Sequence, residues 1–156
     1  MERRIGDIEY EQMLLSRYIT AQHRADGGID RSAYLLLSRI DAHGPMTIAE
    51  MSETFRLDAS TLQRQTSAAV QAGLLERITD PDGGVAKRFA LTGLGETRLT
   101  ESRERSVRAL EQILGDWDTA DVNRFADLLQ RFNIAIDDYT QSSKGPRIER
   151  ISPTAR

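Results

Sequence analysis

The amino-acid sequence indicates a mainly α-helical chain with one small β-hairpin. Apolar residues recur at helical spacing in several stretches, and capping residues, glycine or proline bound these stretches. One five-residue run, 80–84, combines Asp, Pro and Gly between two short strand-like stretches. The 156 residues suit one domain, or one small domain with an oligomerisation element.

Four helices are predicted in the first half of the chain. Asp30 and Asp58 are candidate N-caps for the second and the fourth helix. Thr47 and Glu50 match a capping box, in which a hydroxyl and a carboxylate each accept a free backbone N–H at the start of a helix. The predicted helices cover 5–24, 31–43, 48–55 and 59–72.

The second half begins with the hairpin and continues with a long helix. The predicted strands cover 74–79 and 86–91, and the Asp, Pro and Gly residues between them form the turn. Thr92 caps a fifth helix that runs to near Gly115. The middle of this helix carries one large apolar residue, Leu99, so we expect a solvent-exposed strut.

The last helix, 119–141, has the most regular apolar pattern in the sequence. Its apolar residues alternate at spacings of three and four, which is typical of a helix-packing seam. The seam could pack on the chain's own first helix, or helices 1, 5 and 6 could share a dimer interface. We favour the dimer, because the strut would hold the seam away from the core. The predicted interface residues are Ile5, Ile8, Val122, Phe125, Leu129, Phe132, Ile136 and Tyr139.

The composition excludes several classes of protein. The chain has no cysteine, which excludes disulfides, thiolate metal sites and a cysteine nucleophile. No apolar run is long enough to span a membrane, and acidic and polar residues follow the initial Met-Glu-Arg-Arg where a signal peptide would be apolar. We therefore expect a cytoplasmic protein that contacts no membrane. His23 and His43 lie on different predicted helices without further ligands at metal-binding spacing. We therefore predict no metal, no cofactor and no catalytic residues.

Charge is distributed unevenly along the chain. The net charge is −3, but residues 56–88 sum to +1 and residues 143–156 to +3. These two segments are the parts that we expect to approach phosphate groups. The second of them is rich in Gly, Pro, Ser and Arg, and we expect it to be a flexible basic tail.

The order of the elements indicates a winged helix-turn-helix. In that arrangement the second helix of the pair enters the major groove of DNA, and the hairpin, or wing, reaches the flanking backbone. The predicted helix 59–72 carries suitable side chains for base edges, because Arg pairs with guanine and Gln with adenine. The predicted DNA-contacting residues of this helix are Ser60, Thr61, Gln63, Arg64 and Gln65.

Five stretches of the sequence match one known family in their order and spacing: Leu36–Ile40, Thr47–Met51, Ser60–Arg64, Ala72–Arg77 and Leu91–Gly95. On these stretches, residues 31–95 resemble the MarR family of bacterial transcription regulators, and the flanking helices fit the family as well. The resemblance implies a homodimer on an inverted repeat of double-stranded DNA. It also implies a small-molecule effector, often a phenolic or lipophilic anion, that binds near helices 1, 2 and 5 and weakens DNA binding. The candidate effector-binding residues are Tyr18, Gln22, Tyr34 and Arg39.

The wing departs from the family's pattern. The family carries Asp-x-Arg there, with the Asp bracing the hairpin and the Arg entering the minor groove, but the matching positions hold Gly83-Gly84-Val85. Lys87 and Arg88 are the candidates to replace the phosphate contact, and alternation along the strand predicts that Arg88 points outward. We therefore expect this wing to hold DNA less strongly than the family norm.

Taken together, the sequence predicts a homodimeric, ligand-responsive transcription regulator, with a repressor favoured, that associates with the bacterial nucleoid when bound. The predicted division is a dimerisation region of 1–29 and 93–142, a DNA-binding lobe of 30–92 and the tail 143–156. Two alternatives remain open. One is a winged helix that binds another protein, which the uncharged wing would suit. The other is a metal-responsive switch that uses the histidines and nearby carboxylates.

Overall fold

The computed structural model describes residues 3–25, 28–80 and 82–142, which form six α-helices and one two-stranded antiparallel sheet. This mainly helical architecture confirms the predicted fold class. The chain divides into two compact units, Met1–Ser102 and Arg103–Arg156, and the fifth helix crosses the boundary. The predicted tail 143–156 lies outside the described residues, and the predicted domain division stays a prediction. In chain order the elements are α1 (Ile5–Ala25), α2 (Arg31–His43), α3 (Ile48–Phe55), α4 (Ala59–Gln71), β1 (Leu75–Ile78), β2 (Arg88–Leu91), α5 (Gly93–Ile113) and α6 (Thr119–Ser142).

Side-chain caps explain where the helices of the first unit begin. The Asp30 carboxylate accepts a hydrogen bond from the Ala33 amide at 2.8 Å and starts α2. At α3, the Thr47 hydroxyl accepts from the Glu50 amide at 3.1 Å, and the Glu50 carboxylate accepts from the Thr47 amide at 3.0 Å. Both predicted caps are confirmed. Asp58 lies at the N-cap position of α4, but its carboxylate makes no capping hydrogen bond, so this part of the prediction is wrong.

The hairpin is shorter than predicted and has an additional neighbour. The Leu74 amide donates to the Ala69 carbonyl at 2.9 Å and closes the end of α4, so β1 begins one residue later. The segment before α3 pairs with β2, because Met46 and Phe89 exchange backbone hydrogen bonds of 3.1 and 2.8 Å. The hairpin is thus joined to the helix-turn-helix through the backbone.

The apolar core of the first unit lies between α2, α3, α4 and the hairpin. It includes Leu99 of α5, which is only 2% exposed. One turn earlier, Gly95 packs so closely that an added Cβ would lie 2.1 Å from the Leu74 carbonyl oxygen. The expectation that this part of α5 is only a solvent-exposed strut is therefore wrong. The largest fully buried apolar side chains are Leu36, Leu37, Met46, Met51, Leu62, Leu75 and Leu99.

The predicted interface helices leave most of their apolar side chains exposed within the single chain. In α1, Ile5 and Ile8 are each about half exposed. Helix α6 has no buried residue, and its seam is exposed apart from the half-buried Val122. The Trp117 ring, just before α6, contacts the edge of Phe125 with ring centroids 5.7 Å apart. Across the described part of the chain, no helix has the length and apolar character that crossing a membrane requires.

Candidate nucleic-acid interface

Helix α4 has one buried and one exposed side. Leu62, Thr66 and Ala69 follow one another at helical spacing and are buried against the core. The Thr66 hydroxyl donates to the Leu62 carbonyl at 2.8 Å, so this buried polar group is satisfied within the helix. Because this buried side is packed against the core, the opposite side of α4 is held facing solvent.

The exposed side of α4 brings together three of the predicted DNA-contacting residues. Ser60, Gln63 and Arg64 are exposed and line one shallow, open groove. The other two, Thr61 and Gln65, are half-buried beside it. Sequence reasoning missed three further lining residues, although helical spacing from Ser60 and Arg64 could have found them. These residues are Ser67, Ala68 and Gln71.

Arg64 carries the charge of this groove. Helix α4 contains no acidic residue, and Arg64 forms no ion pair within the described residues. Its one hydrogen bond is a long one, 3.5 Å from Nη2 to the Thr61 hydroxyl in the preceding turn. The guanidinium is therefore available to a partner outside the chain, with several donors that suit guanine or phosphate.

Arg88 in the wing is held by acidic neighbours. Its Nη1 lies 3.0 Å from a Glu50 carboxylate oxygen and donates to the Pro45 carbonyl at 3.1 Å. Its Nε lies 3.3 Å from the Asp80 carboxylate, and 21% of the side chain is exposed. Burial lowers the pKa of Arg88, but Glu50 and Asp80 raise it by more, so the net pKa lies above its ordinary value. Arg88 therefore stays charged and paired.

These contacts correct the expectation that Arg88 points outward into solvent, whereas the phosphate contact predicted for it stays a prediction. Alternation along β2 does separate Arg88 from the buried Phe89, but on its own side Arg88 meets two carboxylates rather than solvent. Lys87 lies just before β2 and is exposed. At the tip of the wing, Val85 is fully exposed and uncharged. Of the two cations between the hairpin turn and the end of β2, Lys87 is thus the one that has no ion pair among the described residues.

Asp80 braces the hairpin in place of the missing wing aspartate. Its carboxylate accepts from the Asp82 amide at 3.0 Å and also meets Arg88. A Cβ added to Gly84 would lie 2.4 Å from an Asp80 carboxylate oxygen, so the glycine leaves room for the carboxylate. Gly83 has φ +80°, a conformation that glycine adopts without strain. Gly83 and Gly84 replace part of the family's charged motif, but they allow Asp80 to brace the hairpin instead.

The predicted effector-binding residues lie on two helices of the first unit. Tyr18 and Gln22 are half-buried on α1, and Tyr34 and Arg39 are half-buried on α2. Two of their polar atoms, Tyr18 Oη and Arg39 Nε, are shielded from solvent and have no hydrogen-bond partner in the described chain. Their grouping into one effector site stays a prediction.

The described structure does not form a metal site with His43 or with any other described histidine or carboxylate. His43 is exposed near the end of α2, and the side chain of His23 lies outside the described part. In residues 3–25, 28–80 and 82–142, no group of three or more His, Asp or Glu side chains could hold a metal ion.

These elements define a winged helix-turn-helix protein that binds DNA. They are the short capped helix α3, the tight turn after it, the helix α4 with its exposed polar side, and the hairpin of β1 and β2. The sequence pattern of the MarR family matches residues 27–84. The chain is 37% identical over 134 residues to the uncharacterized HTH-type transcriptional regulator YxaD of Bacillus subtilis, covering 84% of this chain and 94% of that protein. The chain therefore belongs to the MarR family of DNA-binding transcription regulators.

Solved structures show the same fold. A MarR family protein from Bacillus stearothermophilus aligns with a TM-score of 0.76 at 21% identity, covering 87% of this chain and 98% of that one. BpsR of Bordetella bronchiseptica, whose DNA binding is regulated by 6-hydroxynicotinic acid, aligns with a TM-score of 0.63 at 16% identity. That alignment covers 83% of this chain and 92% of BpsR. At these identities, the structures support the fold and not the ligand.

Proposed function

We propose that this chain is a homodimeric repressor that reads an inverted repeat of DNA through α4. The observation that carries the proposal is the exposed side of α4, where Ser60, Gln63 and Arg64 face solvent beside a well-packed core. A helix held rigidly by its buried side can present such residues to base edges in the major groove. The alternative is that the polar side of α4 is only solvated and binds no ligand. In that case Arg64 has no role in binding.

Each side chain of this surface has a role that its chemistry suits. Arg64 would donate two hydrogen bonds to one guanine, and Gln63 would pair with adenine. Ser60, near the first turn of α4, would bind a phosphate or a base edge together with the free backbone amides there. The half-buried Thr61 and Gln65 would contact DNA from the margin of the groove. Lys87 would bind a flanking phosphate, whereas Arg88 would contact no DNA.

An Arg64→Ala variant tests the proposal, with Gln71→Ala as its control. Both residues line the same groove, but Gln71 lies at the C-terminal end of α4, away from the turn that enters the major groove. We expect Arg64→Ala to reduce the affinity for a selected duplex and to lose preference at one base pair. Gln71→Ala should change the affinity little. Equal affinities of wild type and Arg64→Ala would refute the proposed role of α4.

The homodimer is proposed because α6 presents a continuous apolar seam. Phe125, Leu129, Phe132 and Ile136 are each about two-fifths exposed, and Tyr139 is more exposed still. Exposed apolar residues at regular helical spacing are typical of an interface, because burying them releases water from apolar surface. A two-fold symmetric dimer would present two copies of α4 and so match an inverted repeat.

Charge placed in the seam tests the dimer. We expect the wild-type chain to sediment at twice its 17.5 kDa mass and Leu129→Asp to sediment as a single chain. Gln130→Asp adds the same charge one residue outside the seam and should leave the dimer intact. A wild-type monomer at micromolar concentration, or a Leu129→Asp dimer as stable as wild type, would contradict the proposed interface.

The proposed effector is a small aromatic anion. Arg39 would supply positive charge and Tyr18 a hydroxyl, since both have a shielded polar atom without a partner. 6-Hydroxynicotinic acid is a suitable first probe, because it regulates the DNA binding of BpsR. If it binds, it should weaken DNA binding, and DNA should weaken its binding by the same factor. We expect Arg39→Met to lose the effect and Arg31→Met, an exposed site on α2, to keep it. Binding of the probe that is equal in both variants would rule out Arg39.

A further inference from the structure

We infer that Arg88 is a positioning residue that fixes the wing against the helix-turn-helix and so places Lys87 on the DNA flank. The guanidinium joins three separate parts of the first unit. It contacts the Pro45 carbonyl before α3, the Glu50 carboxylate in the first turn of α3 and the Asp80 carboxylate in the wing. The part of this inference that concerns DNA rests on the proposed function.

Both carboxylates are also tied into local backbone structure. Glu50 accepts the Thr47 amide at 3.0 Å as part of the capping box, and Asp80 accepts the Asp82 amide at 3.0 Å in the wing turn. Arg88 therefore connects the start of α3 to the turn of the wing. A movement of the wing turn away from α3 would have to break one of these ion pairs.

The three charged side chains of this cluster are partly shielded from solvent. The side chains of Asp80, Arg88 and Glu50 are 12%, 21% and 38% exposed. Salt screens such partly buried pairs less than fully exposed ones. Without the guanidinium, two carboxylates would remain close to each other with no cation between them, which favours their separation. Loss of Arg88 should therefore release the wing turn.

Besides Arg88, the wing carries two cations that are both exposed: Arg77 in β1, whose guanidinium lies 5.6 Å from the centre of the Phe89 ring, and Lys87. The tip of the wing is the uncharged Gly83-Gly84-Val85, and Lys87 is the neighbour of Arg88 in the chain. An exposed lysine contributes to phosphate binding only when the backbone that carries it lies at the right place. Arg88 is therefore expected to act on DNA binding through Lys87.

The first test measures the mobility of the wing without DNA. The chain has no cysteine, so a Val85→Cys variant gives a single site for a nitroxide label, and Val85 is fully exposed. We expect Arg88→Met to sharpen the electron paramagnetic resonance lines of this label, which reports faster motion. Arg98→Met also removes a cation and an ion pair, the exposed one to Glu101, and should leave the lines unchanged.

Further variants keep this test decisive if Arg88→Met does not fold. Asp80→Asn removes the wing end of the cluster but keeps the Arg88–Glu50 pair, and it should also increase the mobility of the label. Arg88→Lys retains a cation, so the spectrum of its label should lie between those of wild type and Arg88→Met. Circular dichroism confirms the fold of each variant. Unchanged label mobility in folded Arg88→Met, or in folded Asp80→Asn, would overturn the inference.

The second test separates positioning from direct contact with DNA. The affinity for a duplex selected by the wild-type chain is measured against salt concentration in four proteins: wild type, Lys87→Ala, Arg88→Met and the double variant. We expect each single variant to reduce the slope of log K against log salt by about one per bound protomer. The double variant should show no further reduction, since both changes remove the same phosphate contact.

The outcomes of the second test are distinct. A further reduction of about one in the double variant would make Arg88 itself a phosphate contact and overturn the inference. An unchanged slope in Arg88→Met would overturn it as well. If the wild-type chain binds no duplex, the proposed function fails, and the label experiment alone decides whether Arg88 positions the wing.

Discussion

Helix α4 and the wing belong to the same compact unit and both carry arginine, but they hold it in different surroundings. Arg64 on α4 has no acidic neighbour on its helix and forms no ion pair among the described residues. Arg88 in the wing lies between Glu50 and Asp80. The difference shows that the placement of carboxylates, rather than the number of cations, decides which arginine is available to DNA.

The two regions also differ in what keeps them in place. Helix α4 is held by apolar contacts, since Leu62 and Ala69 are buried and Thr66 is satisfied within the helix. The wing turn is held by charge, through Asp80 and Arg88. Changes to α4's buried side should therefore affect the stability of the whole unit, whereas changes in the wing should affect DNA binding at the flank.

The largest effect is expected from the buried side of α4. Leu62 is completely buried, so Leu62→Ala should lower the free energy of unfolding by about 2–5 kcal/mol through lost contacts and a cavity. Urea denaturation followed by circular dichroism measures this. Ser67→Ala, on the exposed side of the same helix, should stay within about 0.5 kcal/mol of wild type. Equal losses in the two variants would erase the distinction between the two sides.

The next largest effect is expected from the exposed side of α4. Arg64→Ala should lower the free energy of binding to the selected duplex by about 1–3 kcal/mol and relax the preference at one base pair. Lys87→Ala should instead weaken binding to all duplexes alike, because phosphates carry no sequence information. Fluorescence anisotropy with single-base variants of the duplex measures both. A uniform loss in Arg64→Ala would show that Arg64 contacts backbone and not bases.

The smallest expected effect is a gain in DNA affinity from a cation added to the wing. Val85→Arg places a cation at the fully exposed tip of the wing. We expect tighter binding and a salt slope that rises by about one per bound protomer. Val85→Gln adds a polar side chain without charge and serves as the control. Equal slopes in the two variants would mean that the wing tip does not approach phosphate.

Local sequence features predicted most of the helices but not the packing between distant segments. Asp30 and Thr47 mark helix starts because a cap acts within three residues of the chain. Ser60, Gln63 and Arg64 could be assigned to one side of α4 from helical spacing alone. Leu99 was misassigned, because a single apolar residue in a charged stretch gives no periodic signal for burial.

The wing shows where such reasoning stops. Alternation along a strand predicts the side on which Arg88 lies but not what it meets there. Its partner Glu50 is 38 residues away and was already accounted for by the capping box. Asp80 could be assigned to the turn from sequence, whereas its ion pair depends on how the hairpin closes. Charge pairs between distant segments are decided by the fold, so local patterns do not reveal them.

Selection from random duplex DNA tests whether the exposed side of α4 reads the DNA sequence. The wild-type chain and Arg64→Ala are compared in parallel at moderate salt. We expect wild type to enrich one inverted repeat and Arg64→Ala to lose the preference at one position in each half-site. Weak, unselective binding that is identical in the two proteins would contradict this expectation, and the exposed wing would then be tested for a protein partner.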